Sequence, residues 1–116
     1  MSRVLVVEDD EDVRFLVQVS LRLGGHECTE ASSLEAARAR LDGVELVLLD
    51  LSLPDGDAVA FAHELGRQGR PFLLVSARRE TELERLAAAT GARGYLLKPF
   101  APAHLAAAVQ SALTGG

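Results

Sequence analysis

Five short apolar runs of strand length alternate along the chain with segments whose apolar residues recur at helical spacing. This alternation constrains the fold more than any other feature, because helices that join parallel strands cover both faces of the sheet. Crossovers between parallel strands are right-handed. The pattern therefore predicts a doubly wound (βα)5 unit, a three-layer α/β sandwich whose five-stranded parallel sheet has the order 2-1-3-4-5.

The predicted strands are, in chain order, residues 3–7, 26–31, 44–49, 71–75 and 94–97. The second strand is the most polar and suits an edge of the sheet, whereas the third is the most apolar and suits its centre. The chain after Leu113 is predicted to leave regular structure.

Glycines and capping residues indicate where the helices begin and end. Gly24 and Gly25 end the first helix, and Ser32 with Glu35 has the spacing of a capping box at the start of the second. The third helix is predicted at 57–68, the fourth is predicted to end at about residue 90, and the fifth is predicted at 103–113. The helical positions predicted to face the core are Val13, Leu16, Val17, Leu21, Leu34, Ala37, Leu41, Val59, Ala62 and Leu65.

Length and composition limit the class of protein. The chain has 116 residues, of which 48% are hydrophobic, so one domain over residues 1–116 is predicted. No apolar run reaches the ~18 residues that a membrane span needs, and no signal-peptide pattern is present, so we expect a cytoplasmic protein. The net charge of −5 disfavours binding to nucleic acid, which requires clustered Lys and Arg.

Polar side chains follow four of the predicted strands directly. They are Glu8, Asp9 and Asp10 after the first strand, Asp50 after the third, Ser76 after the fourth and Lys98 after the fifth. Ligands of doubly wound sheets bind at the carboxyl ends of the strands, so we expect these side chains to meet at one rim. The role of Asp10, in this cluster or at the start of the helix, stays open.

Carboxylates gathered in one pocket repel one another unless some take up protons or a cation lies among them. Oxygen ligands without Cys or His favour Mg²⁺ over zinc. With that charge offset, Asp50 can act as a nucleophile that accepts a phosphoryl group. Lys98, the only lysine of the chain, and the Ser76 hydroxyl would contact the phosphoryl oxygens, and the small Ala77 leaves room for them.

Four segments at the ends of predicted strands resemble the receiver domains of bacterial response regulators, and these are VLVVEDDEDVR, VLLDLSLPDGDA, LLVSAR and GYLLKPF. The resemblance covers essentially the whole chain. It implies a phosphoacceptor module of a two-component regulatory system. It also implies that self-phosphorylation and slow self-dephosphorylation are the only chemistry, so the protein is not an enzyme that turns over a substrate.

The resemblance also assigns roles to the acidic residues. Glu8 and Asp9 match the acid pair that holds Mg²⁺, with Asp9 as the direct ligand and Glu8 acting largely through water. Asp50 matches the phosphorylation site and is a further ligand. The backbone carbonyl of Ser52 matches the remaining protein ligand to the metal.

Three further positions match the residues that contact the phosphoryl group or respond to it. Ser76 matches the hydroxyl that moves toward the phosphoryl group, Tyr95 matches the aromatic switch residue, and Lys98 matches the lysine that contacts the phosphoryl group. The Lys98-Pro99 bond resembles the family's cis peptide. The implied donor is a sensor histidine kinase or a phosphotransfer protein. The implied output is docking of a downstream effector, or of a second copy of the chain, on the fourth helix, fifth strand and fifth helix.

Three other classes of protein share parts of this pattern. A flavodoxin-like nucleotide-binding protein has the same topology, but three acids after the first strand would repel its phosphate groups. A hydrolase of the haloacid dehalogenase type also uses an aspartate, a hydroxyl and a lysine, but Ser52 stands where its D-x-D motif has the second acid. A receiver-like module that no longer accepts phosphate is the alternative left for experiment.

Overall fold

The structure is a computed structural model that describes residues 2–114, so Met1 and the predicted unstructured end at 115–116 lie outside the described residues. The strands are β1 Arg3–Val7, β2 Glu27–Ala31, β3 Leu46–Asp50, β4 Phe72–Ser76 and β5 Gly94–Leu97. The helices are α1 Glu11–Leu23, α2 Leu34–Arg38, α3 Ala58–Arg67, α4 Glu80–Thr90 and α5 Pro102–Leu113. All four strand pairings are parallel and the order is β2-β1-β3-β4-β5, which confirms the predicted topology.

The burial of each strand follows its place in the sheet. Every residue of β3 and β4 is buried, because helices cover both faces of these inner strands. Alternate residues of a strand enter opposite layers, so Val47 and Leu49 pack under α2, α3 and α4, whereas Leu46 and Leu48 pack under α1 and α5. The edge strand β2 is only partly buried, in agreement with its polar sequence.

One of the predicted inward positions does not lie in the core. Leu16 is 44% exposed, because α1 presents Val17 and Leu21 to the sheet and Leu16 lies on the flank of the helix. Val13 and Val59 are half-buried and pack against the core, and Phe61, which was not predicted, is buried. A helical period fixes the relative positions of side chains, but packing fixes the direction in which the apolar stripe points.

The predicted capping box at Ser32 is wrong by one residue. Ser33 has the extended backbone of a helix cap, and its hydroxyl accepts a hydrogen bond from the Ala36 N–H at 3.1 Å. The Asp55 carboxylate accepts further bonds from the Leu34 N–H at 3.0 Å and the Glu35 N–H at 3.4 Å. The loop after β3 therefore completes the cap of α2, and no local sequence pattern contains that contact.

The third and fourth strands extend further than their predicted ends. Asp50 is the last residue of β3, and Ser76 is the last residue of β4. Both side chains are thus fixed by strand pairing rather than carried on a loop. Within residues 2–114, no helix combines the length and the apolar character required to span a bilayer.

Candidate functional site

Strands β1, β3 and β5 deliver polar side chains to the carboxyl-terminal end of the sheet. Asp50 ends the central strand and pairs with Val75 of β4. Glu8 directly follows β1, and its N–H donates to the Ala31 carbonyl of β2 at 3.0 Å. Lys98 directly follows β5, and its N–H donates to the Ser76 carbonyl at 2.8 Å. The carboxyl ends of the strands therefore form the rim on which the sequence predicted a site.

An acidic cluster occupies the centre of this rim. Glu8, Asp9 and Asp50 each offer a carboxylate oxygen, and these oxygens all lie within 4.8 Å of one another. Glu8 and Asp50 are 3% and 1% exposed, whereas Asp9 is open to solvent. A donor set made only of carboxylate oxygens, with one exposed member, fits a hard cation that keeps part of its water shell.

Asp10 does not belong to the acidic cluster. Its side chain caps α1, where one carboxylate oxygen accepts from the Asp12 N–H at 2.9 Å and the Val13 N–H at 3.2 Å. Glu11 and Asp12 lie in the first turn of α1, where acids interact favourably with the helix dipole. The run of acids after β1 thus divides into a pair at the pocket and three residues that start a helix.

The Lys98 ammonium lies against two of the clustered acids. Its Nζ is 2.7 Å from Oε1 of Glu8 and 3.5 Å from Oδ1 of Asp50. Burial disfavours the charged amine, but the hydrogen bond to Glu8 and the charge of Asp50 outweigh it, so the pKa of Lys98 is raised. The lysine is therefore cationic at neutral pH and offsets part of the negative charge.

Burial perturbs the pKa of the Glu8 carboxyl. Burial raises its pKa to about 7, the hydrogen bond from Lys98 opposes that rise, and the neighbouring Asp50 adds to it. The folded chain thus holds a proton on Glu8 to a higher pH than the unfolded chain. This acid contributes stability below its ordinary pKa of 4.5 and loses that contribution as the pH rises through about 7.

We therefore expect Glu8→Gln to raise the free energy of unfolding of the metal-free protein at pH 8. The gain should be about 1 to 3 kcal/mol, because the neutral amide avoids the burial of a carboxylate. The gain should shrink at pH 6, where Glu8 already carries a proton. Urea unfolding in EDTA at both pH values measures the effect, and an equal gain at both would contradict the assigned pKa.

Ser52 contacts Asp50 through its side chain as well as its backbone. The Ser52 hydroxyl lies 2.9 Å from Oδ1 and 3.0 Å from Oδ2 of Asp50, and its N–H donates to Oδ1 at 3.2 Å. The resemblance to receiver domains implies only a backbone role for Ser52. The available signal was the spacing, since an aspartate often accepts a hydrogen bond from the second residue after it.

The residues expected to contact the phosphoryl group lie beside the acidic cluster. Ser76 is buried, and its hydroxyl accepts a hydrogen bond from the Arg78 N–H at 3.0 Å. Ala77 is exposed and lines an apolar groove of about 280 Å³ together with Lys98, Pro99 and residues of α1. The peptide bond between Lys98 and Pro99 is cis, as the resemblance implied.

Tyr95 lies on the face of the sheet that α4 covers. It pairs with Leu74, and Ser76 pairs with Leu97, so the side chains of Tyr95 and Ser76 enter the same layer from neighbouring strands. The ring packs against the core of that layer. The hydroxyl oxygen lies 2.9 Å from a carboxylate oxygen of Glu80 and 3.2 Å from one of Glu84, so its single hydrogen is shared between two acceptors. The sequence predicted neither contact.

The fold and this rim together define a doubly wound domain with an acid pocket, a hydroxyl and a lysine at its strand ends. The chain belongs to the response regulator receiver domain family, whose family model matches residues 4–110. This membership confirms the resemblance on which the sequence analysis relied.

Curated relatives include two transcriptional regulators from Escherichia coli K12. The KDP operon transcriptional regulatory protein KdpE is 37% identical over 119 aligned positions, which cover 97% of this chain and 52% of KdpE. The phosphate regulon transcriptional regulatory protein PhoB is 33% identical, with 96% of this chain and 51% of PhoB covered. The chain spans about half the length of these relatives.

Solved structures agree with the fold. NtrX from Brucella abortus superposes with a TM-score of 0.90 at 30% identity, over 98% of this chain and 27% of that one. The chemotaxis response regulator CheY4 of Vibrio cholerae has a TM-score of 0.87 at 27% identity, over 97% and 99% of the two chains. A receiver domain from Methanospirillum hungatei, with a TM-score of 0.89 at 24% identity, supports the fold alone.

Proposed function

We propose that this receiver domain, residues 1–116, accepts a phosphoryl group on Asp50 in a Mg²⁺-dependent reaction. The single observation that carries the proposal is the acidic cluster beside a lysine. Asp50 is buried, its oxygens lie within 4.8 Å of those of Glu8 and Asp9, and the Lys98 ammonium is 3.5 Å from it. Such a pocket concentrates negative charge around one nucleophile and supplies a cation for an incoming anion.

Four groups would hold the metal, namely the carboxylates of Glu8, Asp9 and Asp50 and the backbone carbonyl of Ser52. Bound there, Mg²⁺ would offset the charge of the carboxylates and of the phosphoryl oxygens. The exposure of Asp9 favours it as the direct ligand. Glu8, which is buried and already bonded to Lys98, would act largely through water.

In the transfer step, an Asp50 oxygen attacks phosphorus in line with the bond to the donor. The donor is a phosphohistidine of a sensor histidine kinase or phosphotransfer protein, so the P–N bond breaks and its electron pair stays on the imidazole nitrogen. The Ser52 hydroxyl must release the attacking oxygen. Lys98 and the Ser76 hydroxyl then contact the phosphoryl oxygens, and Ala77 leaves space for them.

The output follows from movement of Ser76 toward the phosphoryl group. That movement would vacate space that Tyr95 enters, since both side chains lie in the layer under α4. The repacking would alter the surface of α4, β5 and α5, on which a downstream effector or a second copy of the chain docks. We place this exchange in the cytoplasm, in keeping with the family.

A hydrolase of the haloacid dehalogenase type is less well supported. Its second acid would protonate a leaving group, but Ser52 occupies that position and its hydroxyl is bonded to Asp50 itself. The helices and strands of residues 2–114 all belong to the doubly wound sandwich, so the described chain contains no cap domain. We therefore expect one phosphoryl group per chain, followed by slow self-dephosphorylation and no sustained turnover.

Intact-mass measurement with a small phosphoramidate tests this proposal. In the presence of Mg²⁺ we expect a gain equal to one phosphoryl group per chain, and EDTA should abolish it, because the acidic cluster then repels the incoming anion. Incubation with an aryl phosphate should release less than one equivalent of product beyond the bound phosphoryl group. No mass gain, or many turnovers of the aryl phosphate, would overturn the proposal.

A further inference from the structure

The Tyr95 hydroxyl lies between two carboxylates of one helix face. Glu80 and Glu84 are one turn apart on α4, and their oxygens are 2.9 Å and 3.2 Å from the tyrosine oxygen. The third acid of this segment, Glu82, points elsewhere and pairs with Arg78 at 3.0 Å. The two contacts to Tyr95 are therefore specific to one face of α4.

The contacts with the two carboxylates hold the Tyr95 hydroxyl in place although it lies at the surface. Hydrogen bonds from a hydroxyl to a carboxylate are stronger than neutral ones. The carboxylates of Glu80 and Glu84 repel each other because like charges four residues apart lie side by side on a helix. The hydrogen of the Tyr95 hydroxyl, which lies between them, reduces that repulsion. The hydrogen bond to Glu80, partial burial and the contact with Glu84 raise the pKa of Tyr95 to about 12, so the hydroxyl keeps its proton at neutral pH.

We propose that Glu80 and Glu84 form a clasp that keeps the Tyr95 hydroxyl at the surface and thereby stabilises the resting state of the receiver. The inference rests on the proposed function, in which Tyr95 moves inward when Asp50 is phosphorylated. The ring is partly buried against the core before any movement. The hydroxyl, by contrast, must give up its contacts with both glutamates before it can leave α4.

A thermodynamic consequence follows for the phosphoryl site. Contacts that exist only in the resting state weaken the binding of any ligand that favours the other state. The loss of binding free energy follows the free energy that those contacts contribute. Loss of the clasp should therefore tighten the binding of a phosphoryl mimic at Asp50, although neither glutamate touches that site. The expected change is about two- to tenfold, from the usual net strength of a hydrogen bond.

The test compares Glu80→Ala/Glu84→Ala with the wild type and with Glu82→Ala. The control removes an acid from the same helix, and that acid makes no contact with Tyr95. Binding of beryllofluoride with Mg²⁺ is measured by fluorine NMR, and folding is checked by circular dichroism. The single variant Glu84→Ala, outside the first turn of α4, provides a second measurement if the double variant folds poorly.

The state of the clasp itself has a direct readout, because Tyr95 is the only tyrosine and the chain has no tryptophan. Isotope-labelled tyrosine gives one set of ring signals, which we expect to shift in the double variant without any mimic and to stay unchanged in Glu82→Ala. In a Tyr95→Phe background, removal of the two glutamates should leave mimic affinity unchanged, as a double-mutant cycle requires.

The outcomes separate the two proposals. Tighter mimic binding in the double variant, with wild-type affinity in the control, supports the clasp. Wild-type affinity in the double variant, or an equal gain in the Tyr95→Phe background, overturns the clasp and leaves the phosphoacceptor function intact. A wild-type chain that does not bind beryllofluoride at all overturns the proposed function, and the clasp loses its regulatory role with it.

Discussion

Asparagine at position 50 is expected to abolish phosphoryl incorporation from a phosphoramidate, with no mass gain detectable on the intact chain. The amide has nearly the shape of the carboxylate, so the buried end of β3 should stay folded. It lacks the anionic oxygen that attacks phosphorus, however. The remaining acids do not substitute for it, because Glu8 is bonded to Lys98 at 2.7 Å and Asp9 is exposed to solvent rather than held at the end of a buried strand.

The matched control is Asp57→Asn in the same loop region. Asp57 caps α3 by accepting from the Ala60 N–H at 3.0 Å, and asparagine is an equally good cap. This variant should gain one phosphoryl group as the wild type does. A full mass gain on Asp50→Asn would place the acceptor on another residue and would refute the proposed site.

The second large effect concerns folding rather than chemistry. We expect Gly66→Ala to lower the free energy of unfolding by about 3 kcal/mol, although alanine favours a helix over glycine by about 1 kcal/mol. A Cβ atom at Gly66 would collide with the carbonyl oxygen of Thr90 at the end of α4. That obstacle is backbone, so α3 and α4 would have to move apart to accommodate the methyl group.

Urea unfolding measures this loss, and Ala107→Gly is the control. Ala107 is exposed in the middle of α5, so its replacement should cost only the propensity difference of about 1 kcal/mol. The two substitutions exchange the same residue types in opposite directions, yet both should destabilise. An increase in stability of Gly66→Ala would show that α3 and α4 do not approach as closely as the structure indicates.

Local sequence predicted which residues of the site lie at the strand ends, but not the distances between their side chains. Glu8, Asp50 and Lys98 were placed correctly at one rim because each ends or directly follows a recognisable strand, and parallel strands bring their carboxyl ends together. Their mutual distances could not be predicted, since side-chain rotamers depend on packing by distant segments. The prediction that Leu16 faces the core is wrong because packing also fixes the direction in which the apolar stripe of α1 points.

The sequence did not predict the hydrogen bonds that join loops and helices distant along the chain. The Asp55 cap of α2 and the Tyr95 clasp join residues 21, 15 and 11 positions apart. The Ser52 hydroxyl on Asp50 is local, but it competes with several other turn geometries that the same spacing permits. Each of these contacts exists because the sheet fixes the relative positions of loops and helices.

By itself, the sequence determined the architecture of this protein, the order of its strands and the identity of the residues at the strand ends. These features follow from local periodicity and from the right-handedness of parallel crossovers, which act in every chain of this pattern. Only the tertiary structure decided that Lys98 pairs with Glu8, that Glu80 and Glu84 hold Tyr95, and that α3 and α4 touch at Gly66. Such contacts depend on distances of a few ångströms between segments far apart in the chain, and close packing of the whole domain sets those distances.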